Sequence, residues 1–135
     1  MRSMPQDVRA AFDAFPPEVV DRLAAIRTMI FDLAASDPRI GTITEMLKWG
    51  EPAYLTAATG SGSTIRLGWP RRTPGHAAVY FICRTTLVDE FRAKFGGLYR
   101  YDGRRAVLIP APGAVAAAPL EMMLLSALTY HLAKK

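Results

Sequence analysis

Glu45-Met46-Leu47-Lys48-Trp49-Gly50-Glu51-Pro52-Ala53-Tyr54 decides how this chain is read, because ten residues hold a stop, a reversal and a start. Gly50 accepts the left-handed backbone that closes a helix, and Pro52 keeps a helix from resuming. Upstream, Ile43, Met46 and Leu47 fall at helical spacing. The stretch therefore reads as a helix over 42–49, a Trp49-Gly50 cap and a strand over 53–56. None of these residues performs chemistry in that reading; they set architecture.

On the N-terminal side, Val19, Leu23, Ile26, Ile30 and Leu33 form one apolar stripe and predict a helix over 17–36. Pro17 suits its first turn, Glu18 lies near the positive end of its dipole, and Asp37-Pro38 ends it. Residues 1–14 read as an arm or short helix preceding a single domain over 15–135. On the C-terminal side, Ile65, Leu67 and Trp69 alternate with Thr64, Arg66 and Gly68, which is a strand with one covered face. Gly60-Ser61-Gly62-Ser63 before it reads as a flexible connection. A phosphate-binding loop is not expected there, since such loops lead into a helix carrying a Lys.

A further strand is expected over 77–83, with Cys83 buried in it. A helix from Thr86 to Phe95 follows, with Asp89 closing a capping box and Gly96-Gly97 as the stop. Asp102-Gly103 then suits a two-residue type I′ hairpin between strands over 98–101 and 104–109. That register sets Tyr101 against Arg104 and Arg100 against Arg105. Pro119 opens a last helix whose stripe is Leu120, Met123, Leu124, Ala127 and Leu128, with Met122, Leu125 and Leu132 left over. The surplus fits either a monomer or a homodimer. Together the elements describe an α+β two-layer sandwich, an antiparallel sheet of about five strands with the N- and C-terminal helices packed on one face.

The motif at Glu45, Trp49, Gly50, Pro52 and Tyr54 resembles that of the YdhG-like bacterial family of domains of unknown function, and the order of elements fits over 15–135. The resemblance implies a fold similar to that of frataxin. At least one member is regarded as a frataxin-like iron chaperone, so the resemblance also implies iron delivery by a weakly binding acidic surface. Glu18, Asp21 and Asp32 are the residues that surface would use, although Arg22 and Arg27 interrupt them and Glu18 can pair with Arg22 four residues on.

The formal net charge of +5 is unevenly spread. Residues 1–51 hold six Arg/Lys against eight Asp/Glu, and the remainder eleven against four. The basic half is the sheet-forming half, and its field favours a small anionic ligand or an acidic protein partner. Arg100 and Arg105 are the candidate anion-binding pair, with Arg71 and Arg72 extending the same surface, because guanidinium forks match phosphate and carboxylate oxygens. Aromatic residues interleave with these arginines, but no nucleic-acid recognition signature accompanies them, so nucleic acid is not the expected partner.

No catalytic residues are assigned. His76 and His131 lack ligands at useful spacing, and no nucleophile elbow surrounds a serine. Glu45 and Glu51 would be an acid/base pair around the Trp49 turn only if their environments differed, and Glu51 is also placed to pair with Lys48. One cysteine excludes an intrachain disulfide. Residues 1–14 lack a signal-type apolar core and no run reaches the ~18 apolar residues of a membrane span. A non-enzymatic cytoplasmic binding or carrier domain without a resident cofactor is expected, frataxin-like iron carriage is the alternative, and an enzyme comes third.

Overall fold

The computed structural model describes residues 3–111, 113 and 117–132. The quoted stretch is a hairpin. β1 (Thr44–Lys48) and β2 (Glu51–Leu55) pair antiparallel from Thr44↔Leu55 to Lys48↔Glu51. The turn between them consists of Trp49 and Gly50, both at positive φ (55° and 76°), as a type I′ turn demands. The expected helix over 42–49 is thus a strand. Ile43 and Leu47, four apart, satisfy both periods, whereas Met46 fits the helical one alone and is exposed in the strand; pairing with β2 settles the matter. Pro52, which has no N–H, stands where the β2–β3 ladder stops.

β3 (Ile65–Gly68) and β4 (His76–Tyr80) continue the meander, and β6 (Ala106–Pro110) and β5 (Arg100–Asp102) complete a six-stranded antiparallel sheet of order β1-β2-β3-β4-β6-β5. The additional strand relative to the expected number is β1. Among the described residues, four α-helices, α1 (Gln6–Asp13), α2 (Pro17–Ser36), α3 (Leu87–Phe95) and α4 (Ala117–Leu128), supply the second layer. One buried cluster joins Val8, Leu23, Ile30, Phe91 and Leu124 of the helices to Tyr54, Ile65, Leu67, Val79, Val107 and Ile109 of the sheet. The alternate positions Ala78, Tyr80, Ala106 and Leu108 form a small separate cluster on the opposite face. Period-two alternation therefore divides each strand between a helix-covered face and an open one.

Four local expectations are corrected. The β5–β6 hairpin pairs Asp102↔Ala106, Tyr101↔Val107 and Arg100↔Leu108, so its loop is three residues, Gly103 to Arg105, and Arg100 does not oppose Arg105. Asp102 is the last residue of β5, and its carboxylate pairs with Arg105 across the loop at 3.1 Å. Asp89 closes no capping box; it binds Arg104 at 2.8 Å, while the Thr86 hydroxyl bonds to Glu90. β4 ends at Tyr80, leaving Cys83 exposed in the following loop.

The fourth correction concerns residues 60–63. Ser61 and Ser63 are buried, and the segment docks on the end of α4. The Ser61 hydroxyl donates to Leu128 O at 2.8 Å and the Ser63 amide to Ala127 O at 2.8 Å, while the His131 amide donates to Ser61 O at 2.9 Å. The first two are accepted by carbonyls at the C-terminal end of α4, and the third ties the residues after the helix back to Ser61. A Gly/Ser run that sequence alone reads as slack is a C-terminal helix clamp. In α4 the five stripe residues are buried as expected, and Met122 is exposed.

Candidate functional site

The two faces of the sheet treat charge differently. On the covered face, Arg27 of α2 lies in the apolar stripe yet is 2% exposed. Its Nε donates to Glu45 Oε2 at 2.5 Å and its Nη2 to Glu45 Oε1 at 2.8 Å and to Ser3 O at 3.1 Å. The Tyr54 hydroxyl donates to Glu45 Oε2 at 2.8 Å, directly across the β1–β2 ladder. Hydrogen bonding to Glu45 raises the Arg27 pKa above its usual value, and burial raises that of Tyr54. The motif residues Glu45 and Tyr54 thus form a closed structural lock. Its third member, Arg27, was detectable as a charge inside a helical apolar stripe.

Glu51 leaves β2 on the other face, so Glu45 and Glu51 are not a carboxylate pair. Nor does Glu51 pair with Lys48: Arg66 Nη1 donates to Glu51 Oε1 at 3.0 Å. The Arg66 and Arg105 guanidiniums sit 5.4 and 5.6 Å from the centre of the Tyr80 ring. Gly68 makes room for this group, since a Cβ there would lie 2.4 Å from Glu51 Oε2 and 2.7 Å from Tyr80 Cε2. Desolvation raises the Glu51 pKa against the opposing pull of Arg66 and Arg105.

A folded-state pKa above the unfolded one means that the fold prefers the neutral acid. Glu51 supports stability fully below its unfolded pKa and loses that support as pH rises through the folded value. A Glu51→Gln variant is therefore expected to gain on the parent as pH climbs through and beyond the carboxylate range. Denaturant midpoints for both proteins across that range check this, and parallel curves would contradict it.

Arg71, Arg72, Arg100 and Arg105, separated by up to 34 positions in sequence, line one groove of about 570 Å³ on the open face, with Trp69, Tyr80, Tyr101, Asp102 and Leu108 among its other walls. Arg105 is held by Asp102, and Arg71 lies 5.8 Å from the Trp69 ring centre. The Arg72 and Arg100 guanidiniums make no hydrogen bond or ion pair among the described residues. Two guanidiniums are positioned and two are uncommitted. Asp102 is the groove's acidic residue.

Glu18, Asp21 and Asp32 are exposed on α2. Asp32 stands eleven residues beyond Asp21, about 16 Å along the helix axis. Arg22 does not neutralise Glu18 as expected; its Nε donates to Pro110 O at 2.9 Å and its Nη2 to Ala111 O at 3.2 Å. Among the described residues no group of three or more His, Cys, Asp and Glu is arranged to hold a metal ion. Among the same residues no helix is long and apolar enough to cross a membrane.

No family model and no curated protein matches the chain. A solved structure does: a protein from the DUF1801 family, YdhG of Bacillus subtilis, superposes with a TM-score of 0.60 at 22% identity, covering 90% of this chain and 89% of that one. The α+β architecture is therefore that of a YdhG-like domain. At this identity the likeness is one of fold.

Proposed function

We propose that this protein is a non-enzymatic binding or carrier domain for a small anionic ligand, held in the arginine groove of the open sheet face. The supporting observation is the convergence of Arg71, Arg72, Arg100 and Arg105 from two separate loops and a strand around a single acidic side chain. Arginines that served only solubility would gain nothing from proximity, since like charges repel. Their grouping is favourable when an anion bridges them, and two uncommitted guanidiniums offer forked donors for its oxygens. The volume is within the ~300–1,000 Å³ typical of small-molecule sites.

Pyrophosphate titrated calorimetrically into the protein is expected to give saturable heat that falls as salt is raised. Arg100→Glu is expected to weaken it by about tenfold or more, because a charge-assisted contact is worth roughly 1.5–3 kcal/mol. Both residues of the uncommitted pair are exposed, so the variant keeps its fold. Absence of heat with the parent protein, or equal affinity in Arg100→Glu, would remove the proposal.

A further inference from the structure

Beyond Arg66 and Arg105 the open face holds a second groove of about 540 Å³, between the tip of the β1–β2 hairpin and the loop after β4. Lys48, Trp49, Arg66, Arg84 and Arg105 line it. The Lys48 and Arg84 side chains make no hydrogen bond or ion pair among the described residues. Arg105 also lines the arginine groove, so the two cavities meet at one side chain.

Trp49 is the anomaly. It is 90% exposed and, among the described residues, the one non-glycine at positive φ. A type I′ turn favours Asn or Gly at this position, and a bulky side chain there is strained. Burial does not offset the strain, because the side chain is almost wholly exposed. Neither the turn nor the core accounts for tryptophan, whereas a flat ring presented beside three arginines and a lysine suits a planar heterocycle that carries negative charge.

We infer that the second groove is a ring subsite and that the ligand class of the open face is a nucleoside polyphosphate, its phosphates among Arg72, Arg100 and Arg105 and its base against Trp49. This rests on the anion reading above and adds the chemical identity of the ligand. Arg105, common to both grooves, lies where phosphates and nucleoside join. Strained backbone at an exposed recognition residue is a recurring property of ligand sites.

The test titrates ADP, pyrophosphate and a labelled oligothymidylate into the parent protein and into Trp49→Asn, a substitution that suits the turn and so preserves the hairpin. ADP is expected to bind about tenfold more tightly than pyrophosphate, and Trp49→Asn to bring ADP down to the pyrophosphate level. The Trp49 indole N–H resonance, identified by its loss in the variant, is expected to shift with ADP and not with pyrophosphate. If pyrophosphate binds but ADP binds no better, or if Trp49→Asn leaves ADP affinity intact, the ring subsite is wrong and the anion groove stands. If neither binds, both readings fall. An oligothymidylate bound far more tightly than ADP overturns the mononucleotide assignment and makes the face a single-strand surface.

Discussion

Arg27→Met is expected to lower the stability of the fold by about 3–5 kcal/mol, the range for removing one partner of a buried ion pair. The substitution is close in volume, so cavity formation contributes little, and the loss comes from what remains behind. Glu45 would stay buried in the hairpin with the Tyr54 hydroxyl as its one donor among the contacts described, having lost bonds of 2.5 and 2.8 Å. Ser3 O loses its donor, and the cation above the Phe31 ring, 4.9 Å away, disappears. Since small domains are stable by only ~5–15 kcal/mol, the variant should unfold at much lower denaturant. Adding Glu45→Leu to Arg27→Met should restore much of the loss, because an apolar replacement removes the stranded charge. A single-variant loss below about 1 kcal/mol by urea unfolding would show that Glu45 finds water instead.

Gly62→Ala is expected to cost about 3 kcal/mol, at the upper end for overpacking. A Cβ at Gly62 would stand 2.5 Å from both C and O of Leu128 and 2.6 Å from Ala127 O, all backbone atoms that cannot rotate away. Relief requires the loop and the end of α4 to part, which breaks the bonds from Ser61 and Ser63 to the helix carbonyls. Gly60→Ala separates sterics from backbone preference: its Cβ meets nothing within 4 Å, but φ is 68°. It should cost only about 1–2 kcal/mol, the left-handed penalty. Thermal unfolding ranks the two, and amide exchange at Ser63 should accelerate in Gly62→Ala alone. Equal effects would mean that the clamp is not tightly packed.

The helices were legible because each carries an apolar stripe that the core uses directly, Leu23 to Ile30 in α2 and Leu120 to Leu128 in α4. Residues 42–49 misled because Met46 and Leu47 fit a helix locally, while the evidence for a strand lay elsewhere, in β2 and in an arginine eighteen residues upstream. The grouping of Arg100 and Arg105 was anticipated from a register that proved shifted; they share a groove through the fold of the three-residue loop, without cross-strand pairing. Arg71 and Arg72 reach the same groove from the β3–β4 connection, a distance no local pattern encodes. The depth of Ser61 and Ser63 was equally hidden, since what buries them is the far end of the chain.

The division of the sheet has an engineering consequence. Ile65 and Leu67 are core while Arg66 between them is not; Val107 and Ile109 are core while Leu108 faces away. The helices rest on one set of positions, and Arg72 and Arg100 contribute no described contact to that layer. The open-side residues can therefore drift, or be redesigned to acidic or neutral chemistry, at little thermodynamic penalty, and the scaffold can be stabilised from beneath without altering that face.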